Sequence, residues 1–192
     1  MYLETVKGNM IDVENPNPDQ IDVEDIAWGL SRLSRFAGHT ITEIPYNVAQ
    51  HCLFVSEICN EMKEMINNPR KDLVCQHALL HDAAEAYIGD IPSPIKHIPT
   101  FHPIIKTIEE NLMNAICQRF GLETLTQEEF ALIKHADKIA QRIEAHAFMS
   151  SRGKDWKLPE VTLEQLQKFS EPKNSLCSYN EYIRTFYKLK GQ

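Results

Sequence analysis

Apolar side chains recur at every third or fourth position through most of this chain, a spacing that places them on one face of an α-helix. The clearest run is Val48, Cys52, Val55, Cys59 and Met62. The pattern predicts helices over residues 22–36, 46–66, 71–87, 103–120, 127–149, 163–169 and 179–187. Two short pieces, 5–7 and 10–13, have strand character, and no region alternates for long enough to build a larger sheet. The sequence therefore predicts an all-α fold.

Residues that typically begin or end helices stand at several of these boundaries. Asp22 is a suitable N-cap for the first helix, and Gly38 is a suitable stop. Gly121 follows the helix predicted over 103–120. Thr126 and Glu129 have the spacing of a capping box before the long helix at 127–149.

Length and composition are those of a globular protein with one substantial core. The chain has 192 residues, of which 43% are hydrophobic and 24% are charged. We therefore predict a single domain over residues 1–192, with its core at about 25–150 and with the helices of 160–190 packed on it. No repeat or low-complexity tract is visible in the sequence.

The charge pattern limits the possible partners. The net charge is −7 and Lys and Arg form no long run, which argues against binding of a nucleic-acid polymer. A small phosphate-bearing substrate is compatible with this charge if a metal ion and a few Lys or Arg side chains supply positive charge locally. No stretch reaches the roughly 20 apolar residues of a membrane helix, and no signal-peptide pattern is present, so we expect a cytoplasmic protein that contacts no membrane.

Four polar residues lie in apolar helical surroundings. Asp137 shares a predicted helix face with Ile133, Ala136, Ala140 and Ile143. A buried carboxylate costs several kcal/mol unless it is paired or bound to metal. His81 and Asp82 raise the same problem within an apolar run, and His51 lies on the preceding helix. One divalent cation would resolve it, because two imidazoles and two carboxylates suit Zn, Mn, Co, Ni or Fe(II).

The order of these ligands resembles a known superfamily. A His, then a His-Asp pair, then an Asp on successive helices is similar to the HD-domain metal-dependent phosphohydrolases. The segment 46–51 (YNVAQH) and the segment 81–96 (HDAAEAYIGDIPSPIK) resemble two motifs of the YfbR-like branch. That branch contains 5′-deoxynucleotidases and phage dATP triphosphohydrolases. The resemblance covers about residues 25–150 and implies that the metal ligands are His51, His81, Asp82 and Asp137.

The resemblance also implies roles for residues around the metal. Glu85 matches the catalytic carboxylate that orients or deprotonates the attacking water. Asp90 matches a second acidic position, which binds a second cation or protonates the leaving oxygen. The residues expected to bind substrate are Arg35, Phe36, Lys96, His77 and Arg32. Phe36 stands where the family has Trp, and Arg32 competes with Arg35 for the phosphate-binding role.

The implied activity is hydrolysis of a 5′-deoxynucleotide. Water activated by the metal would release phosphate from a dNMP or triphosphate from a dNTP such as dATP, with Mg²⁺ as a second ion on the substrate phosphates. The alternatives are a hydrolase of cyclic nucleotides or ppGpp, a di-iron oxygenase, and a non-catalytic nucleotide sensor. Glu85 argues against a sensor, and no further His stands at a clear position for a second iron. The partners expected are a small deoxynucleotide and a second copy of the chain, as a homodimer or higher homo-oligomer.

Overall fold

The computed structural model describes residues 2–169 and 171–191, and in this part of the chain a single hairpin accompanies the helices. Strands β1 (Tyr2–Glu4) and β2 (Met10–Asp12) pair antiparallel. The strand predicted at 5–7 is wrong because these residues form the turn of the hairpin, in which the backbone N–H of Gly8 donates to the carbonyl of Thr5. The Asp25 carboxylate accepts hydrogen bonds from the Thr5 hydroxyl and the backbone N–H of Lys7, which holds the turn on the first helix.

Helices make up the rest of the ordered structure, so the predicted all-α class is confirmed. They are α1 (Val23–Arg32), α2 (Val48–Glu61), α3 (Lys71–Leu80), α4 (Glu85–Ile88), α5 (Ser93–Lys96), α6 (His102–Phe120), α7 (Gln127–Phe148), α8 (Leu163–Leu166) and α9 (Ser175–Leu189). The Asp22 carboxylate caps α1, and both bonds of the Thr126–Glu129 capping box are present. Gly121 ends α6 in the left-handed conformation. Within the described residues, each helix is too short or too polar to cross a bilayer.

Several predicted boundaries are wrong. Helix α1 ends at Arg32 rather than at residue 36, because the backbones of Leu33 and Ser34 are extended, with ψ angles of 124° and 126°. Helix α2 is shorter than predicted and gives way to a 3₁₀ turn at Lys63–Met65. Helix α8 covers less of the predicted segment and α9 covers more, while α5 forms where no helix was predicted.

The helix predicted over 71–87 is broken at the His-Asp pair. Helix α3 ends at Leu80, and the chain continues as a tight turn before α4 begins at Glu85. In this turn the N–H of Ala83 donates to the carbonyl of Leu80, and the N–H of Glu85 donates to the carbonyl of Asp82. These bonds span three residues rather than four, so the turn rotates side chains away from the positions that a regular helix would give them.

Helix α2 occupies the centre of the fold. It packs against α1, α3, α7 and α9. One buried apolar cluster joins α1, α2, α3, α6 and α9, and a second cluster joins α2, α3 and α7.

Candidate metal centre and adjoining cavity

Four side chains from three elements meet beside α2. His51 lies on α2, His81 and Asp82 lie in the turn after α3, and Asp137 lies midway along α7. Nε2 of His51 is 3.2 Å from Oδ1 of Asp137 and 3.5 Å from Oδ2 of Asp82. Nε2 of His81 is 3.2 Å from Oδ2 of Asp82. The fold thus brings together the four residues that the sequence analysis selected as metal ligands.

Both imidazoles have one nitrogen in a hydrogen bond and the other directed towards the carboxylates. Nδ1 of His51 lies 2.7 Å from Oε1 of Glu144, and Nδ1 of His81 lies 2.7 Å from the carbonyl oxygen of Ala78. The two Nε2 atoms are buried and make no hydrogen bond within the described part of the chain. An imidazole that donates Nδ1–H to an acceptor keeps the lone pair of Nε2 for a metal.

The charges of the cluster stabilise its ionised carboxylates. Burial opposes ionisation, but the hydrogen bond and the charge of His51 lower the pKa of Asp137 to about 2. Burial likewise opposes ionisation of Asp82, while His81 and His51 bring the pKa of this carboxyl well below its usual value. Ionised carboxylates beside unpaired imidazole nitrogens are the donors that a divalent transition metal requires.

The donor atoms are close enough to share one ion. Ligand atoms of His51, His81 and Asp137 lie within 4.8 Å of one another, and so do those of Cys52, His81 and Asp82. The two groups share His81, which makes them parts of one cluster. Nitrogen and oxygen donors predominate in it, and this mixture fits the transition-metal cations that the sequence analysis proposed.

Glu85 lies at the start of α4, beside the cluster, and is 5% exposed. Its Oε1 is 3.0 Å from Nζ of Lys96, whereas its Oε2 is buried without a hydrogen bond among the described residues. Burial and the charge of Asp82 raise the pKa of Glu85 to about 8, although Lys96 acts in the opposite direction. A carboxyl poised near neutral pH is suited to proton transfer.

Helix α4 owes its position to a close contact with α1. A Cβ atom added to Gly29 would lie 2.9 Å from both the Cβ and the carbonyl oxygen of Ala86. Only glycine leaves room for the α4 backbone here, so Gly29 allows α1 and α4 to approach. This contact helps to fix Glu85, which is the residue next to Ala86.

A cavity of about 670 Å³ opens beside the cluster, between the end of α3 and the helices α6 and α7. His81, Asp82 and Glu85 line the side nearest the cluster, and His77 and Lys96 also line it. Apolar side chains cover much of the remaining wall, among them Met113, Leu122, Leu125, Phe130 and Ile133. A cavity with apolar walls and a few convergent charged groups is typical of a small-molecule site.

A family model described as 5′-deoxynucleotidase YfbR-like matches residues 27–186, which is most of the chain and includes every residue of the cluster. This chain belongs to the YfbR-like 5′-deoxynucleotidase family. It is a hydrolase, as the sequence analysis predicted.

Individual relatives agree with this assignment. The chain is 34% identical over 141 residues to an uncharacterised protein of Rhodobacter capsulatus, covering 73% of this chain and 69% of the relative. It is 31% identical over 159 residues to the uncharacterised protein YfdR of Escherichia coli K12, covering 83% of this chain and 79% of YfdR. Among solved structures, it resembles the cyanophage S-2L HD phosphohydrolase DatZ bound to dA and one catalytic Zn²⁺ ion, with a TM-score of 0.55 and 21% identity over 87% of this chain and 96% of DatZ. The last likeness shows that the chain has the HD phosphohydrolase fold.

The two arginines predicted to bind substrate have different positions in this family member. Arg35 is buried, and its Nη1 lies 3.8 Å from Oδ2 of Asp82. Arg32 is exposed, and its guanidinium lies over the ring of Trp28 at 4.4 Å from the centroid. Trp28 in turn stacks on Tyr179 of α9. The structure therefore places Arg35 in the cluster and Arg32 on the α1–α9 surface.

Phe36, Asp90 and His77 are the remaining predicted site residues. The Phe36 ring lies near the Arg35 guanidinium, and its centroid is 5.8 Å from that of the Trp156 ring. Burial raises the pKa of Asp90, the charge of Asp82 adds to this shift, and Arg35 opposes it. The charges near the cluster therefore act on the Asp90 carboxyl. His77 is further along the cavity wall, where its Nε2 lies 2.9 Å from the carbonyl oxygen of Glu123.

Two glutamates of the site were missed in the sequence analysis. Glu144 is 1% exposed and bonds to both His51 and Arg35, and Glu109 of α6 lies 2.9 Å from Nζ of Lys96. A signal for Glu144 was present, because it stands seven residues after Asp137, on the same side of α7. Glu109 had no such signal, because only the packing of α6 brings it to Lys96.

Proposed function

We propose that this hydrolase cleaves the 5′-phosphate ester of a deoxynucleotide, with a divalent cation held by His51, His81, Asp82 and Asp137. The observation that carries the proposal is the pair of buried Nε2 atoms directed towards two carboxylates. When bound, the cation would polarise the phosphoryl group and lower the pKa of a water molecule. The sequence motifs and the family membership support the same activity, as does the likeness to DatZ with its bound dA and catalytic Zn²⁺ ion.

Glu85 is the general base of the proposed reaction. It takes a proton from the water whose oxygen forms the new bond to phosphorus, while the bond between phosphorus and O5′ breaks. The leaving O5′ needs a proton to depart as an alcohol, and Asp90 is the acidic group proposed to supply it or to bind a second cation such as Mg²⁺. The raised pKa values of both carboxyls suit proton transfer.

Basic and aromatic side chains around the cluster bind the substrate in this proposal. Lys96 and Arg35 contact the phosphoryl oxygens, because Lys96 pairs with Glu85 beside the cluster and Arg35 lies 3.8 Å from Asp82 within it. Phe36 packs on the sugar or base, and His77 contacts the part of the substrate that enters the cavity. Arg32 is left out of this set because it stacks on Trp28.

The cavity lining favours a nucleoside monophosphate. Lys96 is the single Lys or Arg side chain on the described cavity wall, and Glu85 and Glu109 already pair with it. Glu110 and Glu123 add further negative charge. A triphosphate chain would meet repulsion there, whereas a neutral sugar and base would not. Triphosphohydrolase activity is the second candidate, because the sequence motifs resemble a branch that also contains phage dATP triphosphohydrolases.

A product assay tests the proposal. The protein is incubated with Co²⁺ or Mn²⁺ and with each dNMP and dNTP, and the products are separated by chromatography. We expect deoxynucleoside and phosphate from dNMPs. Deoxyadenosine and intact triphosphate from dATP would establish the second candidate instead. No turnover of either class by metal-loaded protein would contradict both, and cyclic nucleotides, ppGpp and binding without turnover would be measured next.

A homo-oligomer is part of the proposal. The first turn of α6 and the segment before it expose large apolar side chains, namely Ile95, Ile98, Phe101 and Ile104. Leu112 and Ile116, further along α6, are buried in the core instead. Light scattering of the purified protein measures the mass, and a monomer at micromolar concentration would contradict this part.

A further inference from the structure

The carboxylate of Glu144 joins two hydrogen-bond donors in the interior. Its Oε1 lies 2.7 Å from Nδ1 of His51, and its Oε2 accepts a bond of 3.2 Å from Nε of Arg35. His51 has no exposed surface and Glu144 is 1% exposed, so water does not compete for either bond. Burying an ionised carboxylate is costly, and the two donors are what offset that cost here.

We propose that Glu144 is a positioning residue that holds His51 in the tautomer with hydrogen on Nδ1, and that Arg35 keeps Glu144 in this role. An ionised carboxylate only accepts hydrogen bonds, so the atom facing Oε1 must carry the hydrogen. Nε2 of His51 is then left with its lone pair towards Asp82 and Asp137. The inference rests on the proposed function because His51 is taken as a metal ligand.

Arg35 makes the arrangement sensitive to a single substitution. A guanidinium only donates hydrogen bonds, so Oε2 must accept as well. In Glu144→Gln an amide NH₂ group replaces one carboxylate oxygen. The side chain then has a single acceptor oxygen for the two donors, His51 and Arg35. Arg35 retains the remaining oxygen because it cannot lose its proton, and the NH₂ group faces Nδ1 of His51. The imidazole then moves its hydrogen to Nε2, the atom proposed to bind the cation.

The first measurement is cation affinity, by calorimetric titration with Co²⁺ alone. Glu144→Gln is expected to weaken Co²⁺ binding about 10- to 100-fold, the usual effect of removing a partner of a metal-bound imidazole. Glu129→Gln is the matched control: Glu129 is also a buried carboxylate of α7 bonded to an arginine, Arg70, but it lies in the capping box. The control should lose thermal stability and keep its Co²⁺ affinity. Equal Co²⁺ affinity of Glu144→Gln and the unaltered protein would overturn the proposal.

A double variant separates this role from a merely structural one. Arg35→Met removes the donor that holds the amide oxygen, so in the Glu144→Gln background the oxygen is free to accept from Nδ1 of His51. Arg35→Met should therefore recover Co²⁺ affinity in that background by more than it changes affinity in the unaltered protein. Additive effects of the two substitutions on affinity would overturn the proposal.

The tautomer is measured without any metal. In ¹⁵N-histidine-labelled, cation-free protein, at a pH at which the His51 imidazole is neutral, His51 should carry its hydrogen on Nδ1, and in Glu144→Gln on Nε2. A His51→Asn variant assigns the signal by its loss. Hydrogen on Nε2 in the unaltered protein would overturn the inference. Absence of Co²⁺ binding by the unaltered protein would instead overturn the proposed function, while the tautomer result would still decide the role of Glu144.

Discussion

Nζ of Lys96 lies 3.0 Å from Oε1 of Glu85. The lysine proposed to bind the substrate phosphate is therefore ion-paired with the carboxylate proposed to act as general base. Oε1 of Glu109 lies 2.9 Å from the same amine. A phosphoryl group that draws Lys96 towards it would weaken the bond to Glu85 and leave that carboxylate free to accept a proton. In the proposed reaction, the pair would link binding of the substrate to proton transfer.

Removal of a cluster ligand should abolish metal binding and activity together. In His81→Ala or Asp82→Ala the remaining donors no longer surround an ion. We expect loss of bound metal, measured by elemental analysis, and loss of turnover, with the circular-dichroism signal of the helices largely retained. A variant that keeps both its metal and its turnover would show that the ion lies elsewhere.

Glu85→Gln should separate the metal from the catalytic step. The amide keeps the size of the side chain but does not accept a proton, so turnover should fall by about 100-fold or more. Metal content should be unchanged, because Glu85 is proposed as a base and not as a ligand. Glu110→Gln, at a carboxylate of the outer cavity wall, is the control. Normal turnover by Glu85→Gln would place the base at another residue.

The stability of the metal-free protein should report the raised pKa of Glu85. Its pKa rises from an ordinary value near 4.5 to about 8 on folding, so the folded state binds an extra proton between these values. Its contribution to stability is then greatest at acidic pH and is lost as the pH rises through about 8. Glu85→Gln removes this dependence, and its melting temperature should exceed that of the parent by more at pH 8 than at pH 5, as measured by calorimetry. An equal difference at both pH values would contradict the shift.

Lys96→Ala should weaken substrate binding. Loss of a charged hydrogen bond is worth about 1.5–3 kcal/mol, so KM for the phosphate-bearing substrate should rise by about 10-fold or more. Lys106→Ala is the matched control, because Lys106 is an exposed lysine that pairs with Glu110 one turn away on α6. Steady-state kinetics of both variants decide the question. An unaltered KM in Lys96→Ala would mean that Lys96 only supports Glu85.

Gly29→Ala should disturb the site from a distance. The new methyl group would lie 2.9 Å from Ala86, which forces α1 and α4 apart. Such overpacking typically costs about 1–3 kcal/mol. We expect a lower melting temperature and reduced turnover, because Glu85 moves with α4. The double variant with Ala86→Gly removes one of the clashing atoms and should recover part of both losses; no recovery would point to an effect of Gly29 other than this contact.

Much of the fold could be predicted because the signals that begin, continue and end a helix involve residues close together in the sequence. The capping box of Thr126 and Glu129 and the stop at Gly121 depend on residues a few positions apart, and both were predicted and are present. The break after Leu80 was not predicted, because the apolar spacing continues through residues 81–87. Helix α4, which follows the break, packs against α1 through the close approach of Gly29 to Ala86, and these two residues are far apart in the sequence.

The sequence by itself determined the fold class, the family and the four residues that meet in the cluster. Those features depend on spacing within helices and on the order of His, His-Asp and Asp along the chain. Only the tertiary structure decided which arginine reaches the site. Arg35 is buried beside Asp82, whereas Arg32 stacks on Trp28 away from the cluster. It also brought Glu144 to His51 and Glu109 to Lys96. The two members of each pair lie far apart in sequence. The packing of α2, α6 and α7 brings them together, and no local sequence pattern specifies that packing.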